Sequence, residues 1–154
     1  MRGPELARSP GHGLLLLRLT VGVVFIMHGA QKLFTYGVGT VGENFASMGM
    51  PAASLAAWAL SLAEFLGGGA LVLGLFTRIA AALLAFVMVM AFALVHAPHG
   101  FFLPEGFEYV LTLFAANAAL VLGGPGVLAV DNVLRRRRAP ELRAEERERM
   151  RRAA

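Results

Sequence analysis

The apolar positions of the chain fall into four long stretches, separated by short breaks rich in polar residues, glycine and proline. Crossing about 30 Å of hydrocarbon takes roughly 20 helical residues. Glycine and proline clusters, which end helices, follow the first, third and fourth stretches. The pattern predicts an all-α fold, a bundle of four transmembrane helices with spans at about 14–34, 52–76, 77–97 and 107–124.

The connections and the basic residues predict how these spans are arranged. Only a short turn at residues 73–78 joins the second and third spans, so we expect these two helices to be antiparallel neighbours. Lysine and arginine accumulate at the cytoplasmic ends of spans, and in a four-span arrangement one side receives Arg2, Arg8, Arg78 and Arg135–Arg138. Lys32 alone lies near the other side. Both termini are therefore predicted to be cytoplasmic.

This arrangement divides the chain into three parts. We predict a cytoplasmic N-terminal segment at 1–13, a four-helix membrane domain at 14–134 and a basic cytoplasmic tail at 135–154. Within the first connection, residues 41–48 could form a short interfacial helix with Phe45 and Met48 turned toward lipid.

A cleavable signal peptide is the alternative for residues 1–30, because Arg2 and Arg8 precede an apolar core. Arg18 inside that core, and the lack of a convincing small-x-small cleavage site, argue against it. Cleavage would leave three spans and would put the basic tail on the side opposite the N-terminus.

Composition supports a lipid-embedded protein and excludes several functions. Hydrophobic residues make up 57% of the 154-residue chain and charged residues 16%, with a mean hydropathy of +0.66. The net charge of +4 comes from the tail, where nine arginines outnumber four glutamates, so we expect no nucleic-acid partner. The absence of cysteine excludes disulfides, thiolate catalysis and Cys-ligated clusters. We predict a multi-pass protein of the cytoplasmic membrane whose first partner is the bilayer.

Span one carries a stripe of polar and small residues. Arg18, Gly22, Phe25, Gly29 and Lys32 fall within about 40° of one line on an α-helix, and His28 lies beside that stripe. Small residues let membrane helices approach closely. This face is therefore predicted to contact protein. For Arg18 and Lys32, the alternative is that each side chain reaches out to the headgroups at its own end of the span.

Glu64 lies near the middle of span two, among apolar residues. An ionised carboxylate there costs about 2.5–3.5 kcal/mol on insertion scales, so it should be paired, protonated or hydrated. At about 1.5 Å per residue from the cytoplasmic ends, Glu64 lies about 18 Å up, His28 about 21 Å and Arg18 about 6 Å. The depths predict that His28 is level with Glu64 and that Arg18 is too low for direct contact. Glu64, His28 and Arg18 are the catalytic candidates.

Other polar residues carry less chemistry. His96 and His99 flank a proline near Glu105 and are the weak candidate metal ligands, but the sequence favours solvated loop residues and we predict no metal site. Asn117 should hydrogen-bond across the bundle, with contact to a cofactor as the alternative. Asp131 and Asn132 are expected to cap or turn the exit of the fourth span.

Four stretches of this sequence resemble the DoxX family of small four-helix membrane proteins. They are LLRLTVGVVFIMHGAQKLF, the F-x-x-M-G-M-P of 45–51, AEFLGGGALVLGLFTRIAA at 63–81 and the AAN…GGPG…D pattern of 115–131. The resemblance extends over 14–131 and identifies the family-typical polar residues as Arg18, His28, Lys32, Glu64 and Arg78.

The resemblance implies a membrane subunit associated with redox chemistry, since the family takes its name from a quinone-linked thiosulfate oxidoreductase. Our leading hypothesis is a quinone- or partner-linked redox subunit that works with a soluble redox protein, in an accessory or a catalytic role. The candidate cofactor is a quinone, and the candidate cofactor-binding residues are His28, Lys32, Glu64 and Asn117. The alternatives are a small-molecule or proton transporter, which with four spans would form a homo-oligomer, and a non-catalytic scaffold for soluble redox enzymes.

Overall fold

A computed structural model describes residues 10–137 and 150–152, and in these residues the chain forms helices and no strand. Residues 150–152 are helical, and the longer helices of the described residues precede them along the chain. They are α1, Pro10–Ala30, continued by the π-helical turn Gln31–Thr35; α2, Val38–Ser47; α3, Ala53–Leu73; α4, Thr77–Ala91, continued by the π turn Phe92–His96 and the 3₁₀ turn Ala97–His99; α5, Glu108–Gly123; and α6, residues 130–137.

The predicted all-α membrane bundle is confirmed. Three helical segments, 10–35, 53–73 and 77–99, are long and apolar enough to cross a membrane. The fourth, α5, has 16 residues and a length of about 24 Å, so it spans only where the bilayer is thin. The chain is a multi-pass membrane protein whose apolar helices contact the bilayer.

The structure differs in two details from what was predicted for the connection between spans one and two. The short helix of the first connection begins at Val38, three residues before its predicted start. Phe45 was predicted to face lipid, and this was wrong, because its half-buried ring packs against Val38, Val41 and Ala57. Met48 is exposed, as expected.

The predicted N-terminal segment and basic tail lie for the most part outside the described residues, so Arg2, Arg8 and Arg138 are not placed. Arg135–Arg137 form the exposed end of α6. The division of the chain at residues 13 and 134 and the cytoplasmic position of both termini stay predictions.

Glycines bring α1 and α3 into close contact. A Cβ on Gly68 would lie 2.6 Å from the carbonyl oxygen of Gly22, and one on Gly29 would lie 2.5 Å from the backbone nitrogen of Phe65. Arg18, Gly22, Phe25 and Gly29 are all buried. The sequence prediction that this stripe contacts protein is therefore confirmed, and it explains why small residues recur along it.

A pair of neighbouring glycines on α3 tests this packing. Gly68→Ala is expected to lower the free energy of unfolding by about 1–3 kcal/mol, because the new methyl group forces two backbones apart. Gly69→Ala is the matched control, since its Cβ would meet nothing within 4 Å and alanine favours the helix by up to about 1 kcal/mol. Denaturant titration in detergent measures both. Equal loss in the two variants would contradict the packing described here.

The α3–α4 turn depends on a glycine that also makes room for an arginine. Gly74 has φ of 66° and ends α3, with its N–H donating to Leu71 and that of Leu75 donating to Ala70. This is the Schellman arrangement, which favours glycine at the left-handed position. A side chain on Gly74 would overlap the guanidinium of Arg18. The turn therefore fixes both the antiparallel reversal and the space into which α1 inserts its arginine.

Candidate functional site

The polar side chains of the bundle form two separate groups near opposite ends of α1 and α3. One group lies around Arg18 and the α3–α4 turn. The other lies around Lys32 and Glu64, in the half of the bundle that contains α2. Sequence reasoning expected Arg18 to lie too far from Glu64 for direct contact, and the two groups agree with that expectation. Arg18 is therefore separate from the other catalytic candidates, His28 and Glu64.

Glu64 is buried and forms an ion pair with Lys32. Its Oε1 accepts a hydrogen bond from Lys32 Nζ at 2.5 Å, and the side chain of Glu64 is 4% exposed against 26% for Lys32. Glu64 Oε2 is also buried and has no hydrogen-bond partner among the described residues. A buried carboxylate oxygen of this kind is uncommon in folded proteins, so this group is the leading candidate site.

The partner of Glu64 differs from the depth estimate. His28 is level with Glu64 along the backbone, but Lys32, one turn farther out, makes the contact because its four-carbon stem reaches back along the helix. The alternative in which Lys32 extends to the outer headgroups is wrong. The charge of the carboxylate is balanced inside the bundle, as its position in the span required.

His28 lies at the edge of this group. Its Nε2 is 3.5 Å from the hydroxyl oxygen of Tyr109 on α5, and the two ring centroids are 6.0 Å apart. At that separation the hydrogen bond is at its geometric limit. The contact crosses the seam between α1 and α5 and is easily broken by a change of either rotamer.

The ion pair borders a cavity of about 270 Å³ inside the bundle. Aliphatic, aromatic and methionine side chains make most of its wall, and the polar groups are few. The polar lining residues are His28, Lys32, Glu64, His96 and Tyr109. Met88 and Met90 contribute flexible thioethers that adapt to an irregular guest. A mostly apolar pocket with a few convergent polar groups is the usual form of a small-molecule site.

These polar groups can hold and exchange protons. Lys32 offers ammonium protons, Glu64 a carboxylate, Tyr109 a hydroxyl, and each histidine a ring nitrogen that donates or accepts according to its tautomer. In a membrane interior, such groups mark ligand sites or proton relays more often than mere packing. The arrangement therefore suits recognition of an uncharged ring that carries hydrogen-bond acceptors.

His96 and His99 do not form a metal site in the described residues. Their Nδ1 atoms lie 2.7 Å from the carbonyl oxygen of Glu105 and 2.9 Å from that of Val95, respectively. No group of three or more His, Cys, Asp or Glu side chains converges within the described part of the chain. His96 belongs instead to the wall of the cavity, a role that its sequence position did not indicate.

Asn117 is fully buried on α5. Its amide nitrogen donates to the carbonyl oxygen of Leu113, on the same helix, at 2.8 Å. The prediction that it bonds across the bundle was wrong, because the carbonyl one turn earlier on α5 is the nearer acceptor. Asn117 is also absent from the wall of the cavity, and this removes the geometric basis for its cofactor contact.

Arg18 holds the opposite end of the bundle together. It is completely buried and donates to the carbonyl oxygens of Leu71 at 3.0 Å, Val72 at 3.3 Å and Leu128 at 3.1 Å. The first two are carbonyls of the last turn of α3, where the regular i+4 donor is missing; Leu71 also accepts from the N–H of Gly74. The alternative in which Arg18 reaches the headgroups is therefore wrong, and its observed contacts are structural.

Asp131 caps α4 from a distant part of the chain. Its carboxylate oxygens accept from the backbone N–H of Phe76 at 2.7 Å and of Thr77 at 2.9 Å, where a negative charge suits the helix dipole. Asn132 donates to the carbonyl oxygen of Gly126, and Arg78 donates to that of Val121 at 2.6 Å. Sequence reasoning expected Asp131 to act only on its own turn and missed this cross-chain cap.

Comparisons with known proteins agree with the fold and with the membrane setting. The DoxX family model matches residues 13–97. A Bacillus subtilis protein named "Putative oxidoreductase CatD" is 35% identical over 119 residues, which cover 77% of this chain and 84% of that protein. An uncharacterized membrane protein of Mycobacterium tuberculosis is 33% identical over 146 residues, covering 87% and 89%. An uncharacterized protein of Haemophilus influenzae is 33% identical over 123 residues, covering 77% and 88%. No solved structure matches the chain.

Proposed function

The chain belongs to the DoxX family of membrane proteins, and we propose that it is a membrane subunit of a quinone-linked redox system whose cavity binds a quinone ring. The observation that carries this proposal is the ion pair between the half-buried Lys32 and the buried Glu64 at the wall of an apolar cavity. The name of the Bacillus subtilis relative, which describes an oxidoreductase, supports a redox link.

The lining of the cavity fits a quinone ring. A quinone presents two carbonyl oxygens on a flat apolar ring, and it accepts electrons together with protons when bound. Lys32 Nζ and the Tyr109 hydroxyl supply donors for those oxygens. The volume of about 270 Å³ lies just below the range of about 300–1,000 Å³ that holds drug-sized ligands, so the cavity suits a ring and not a long tail.

The residues have distinct roles in this proposal. Lys32 orients the ring and its charge stabilises negative charge that develops on a ring oxygen. Glu64 takes up and returns a proton, while His28 and His96 exchange protons at the edges of the cavity. The chain has no cysteine and therefore no thiol or Cys-ligated cluster of its own, so electrons must arrive through a bound cofactor or a partner; we propose a soluble redox partner.

We assign the protein to the cytoplasmic membrane, with the Arg18 end of the bundle inward. Arg78 and Arg135 lie together around one surface pocket at that end, whereas Glu105 and Glu108 lie beyond the other end of the bundle, near His99 and Leu103. Basic residues favour the cytoplasmic side. A soluble electron donor would then dock on the face where α6 emerges.

The proposal is tested by Glu64→Gln. Quinone reduction by membranes that contain the variant is expected to fall by about 10²–10⁴-fold, which is the usual contribution of a general acid or base. Gln keeps an acceptor for Lys32 but cannot carry the proton. Glu43→Gln is the matched control, since Glu43 is exposed on α2 and its loss should change nothing. Unchanged turnover in a correctly folded Glu64→Gln protein would remove the proposal.

A further inference from the structure

A groove of about 600 Å³ runs along the outside of the bundle between α1 and α5. Its wall is apolar along most of its length, and polar side chains occur only at its outer end and at its inner edge. The lining residues include Val23, Val24, Met27, Phe34 and Tyr109. Met27 and Val23 are exposed in the middle of a membrane span, so lipid chains contact this surface.

Two residues belong to both the groove and the cavity. His28 and Tyr109 line each of them, and no other described residue does so. Their contact is the loose one of 3.5 Å across the α1–α5 seam. Farther toward the Arg18 end the same seam is tightly closed, because a Cβ on Gly123 would lie 2.7 Å from the side chain of Leu14. The α1–α5 seam is therefore more loosely packed at His28 and Tyr109, beside the cavity, than at Leu14 and Gly123.

We propose that the cavity takes its ligand sideways from the bilayer, through a gate formed by His28 and Tyr109. This inference rests on the proposed function, since it assumes a ligand with a polar ring. The occupant is one amphipathic molecule, a lipid-soluble quinone with its ring beside Lys32 and Glu64 and its apolar tail in the groove.

The size and polarity of the cavity and of the groove support placing the ring of the ligand in the cavity and its tail in the groove. The cavity has room for a ring but not for a long tail, so the tail must leave the bundle at some point. The groove continues from the cavity and meets it at His28 and Tyr109, beside the polar groups that would hold the ring; a second apolar depression between α4 and α5 meets the cavity only at Met88 and Val110. A tail in the groove exchanges lipid contacts for protein contacts and exposes no apolar surface to water. Rotation of the His28 and Tyr109 rings opens the path by which the quinone ring enters the cavity.

The natural absence of cysteine allows a direct test with single introduced thiols. Met27→Cys reports on the groove, Val23→Cys reports on it at a second depth, and Leu16→Cys, exposed elsewhere on α1, is the control. Each variant is purified in nanodiscs and labelled with a membrane-soluble maleimide. The probes are a fully substituted benzoquinone that carries a decyl chain and the same ring with a methyl group in place of the chain, since a ring without a free C–H position does not arylate the introduced thiols.

At a concentration about ten times its Kd, the tailed probe is expected to slow labelling at Met27→Cys and Val23→Cys by about tenfold. The tailless probe should slow it less than twofold, and Leu16→Cys should be labelled at the same rate throughout. Three results would each overturn the inference. They are equal protection at Leu16→Cys, equal protection by both probes, and no protection at either groove position.

The outcome is distinct from that of the proposed function. If turnover depends on Glu64 but the groove thiols are not protected, a quinone reaches the cavity by another path and only the gate is rejected. If the groove thiols are protected but turnover does not depend on Glu64, the tail site stands and the redox role of the cavity fails.

Discussion

Lys32→Met is expected to lower the free energy of unfolding by about 3–5 kcal/mol, because it leaves the buried Glu64 carboxylate without its partner. A bilayer interior supplies no water to replace the lost charge. The double variant Lys32→Met/Glu64→Leu is expected to recover most of that loss, since apolar side chains of similar size replace a buried ion pair at little cost. Unfolding titrations of both variants in detergent measure the difference.

The comparison of the single and double variants isolates the ion pair. If the pair exists as described, the coupling energy between Lys32 and Glu64 is large, and the double variant is more stable than Lys32→Met alone. Equal stability of the single and double variants would mean that Glu64 tolerates the loss of Lys32 and that its charge is balanced by another group.

Arg18→Met is expected to have a comparable effect at the other end of the bundle. It removes three hydrogen bonds from a buried cation to backbone carbonyls, and bonds to charged groups contribute about 1.5–3 kcal/mol each. We expect a loss of at least about 3 kcal/mol, measured by the same unfolding titration. Arg18→Lys should recover only part of it, because a single ammonium cannot reach α3 and the Leu128 loop together.

Arg136→Met is the control for this prediction, since Arg136 is exposed on α6 and its replacement should shift stability by less than about 0.5 kcal/mol. Binding to the cavity gives a second readout, because Arg18 lies outside its wall. The folded fraction of Arg18→Met should therefore bind a quinone with unchanged affinity. A selective loss of quinone binding, with normal stability, would contradict the structural role.

The long apolar stretches were enough to predict the spans, and the stripe of polar and small residues was enough to predict the buried face of α1. Arg18, Gly22, Phe25 and Gly29 share a line on the helix, and all four are buried. This periodicity is a property of a single helix, so it can be interpreted without knowing how the other helices pack. The sequence also indicated that Glu64 should be paired, protonated or hydrated, because the cost of an isolated charge depends on its depth and not on the identity of its neighbours; the structure shows the first of these.

The partner of each polar group was harder to predict, because it depends on side-chain reach and on helix ends. Counting 1.5 Å per residue compares backbone heights, and it chose His28 although the lysine stem reaches Glu64 from one turn away. The Asp131 cap joins positions 54 residues apart in sequence. Gly74 leaves space for Arg18, and this glycine in the sequence could have indicated that Arg18 contacts the end of α3.

The sequence predicted three of the five polar residues of the cavity wall, His28, Lys32 and Glu64, but not the other two. His28 and Lys32 lie four residues apart on one helix face, whereas Glu64, His96 and Tyr109 come from α3, the turn after α4 and α5, and no sequence spacing joins these elements. The structure also gives Asn117 and His96 roles that their sequence positions did not indicate. Asn117 was a candidate for contact with a cofactor, but it hydrogen-bonds within its own helix. His96, in contrast, lines the cavity because it lies in the π-helical turn that follows α4.

The central claim is that the Lys32–Glu64 cavity binds a quinone ring, and equilibrium binding of decyl-substituted benzoquinone to the purified protein tests it most directly. We predict saturable binding to the native chain and binding at least about tenfold weaker to Lys32→Met/Glu64→Leu, with circular dichroism showing that both proteins are helical. Equal affinity in the two proteins, or no saturable binding to the native chain, would contradict the account.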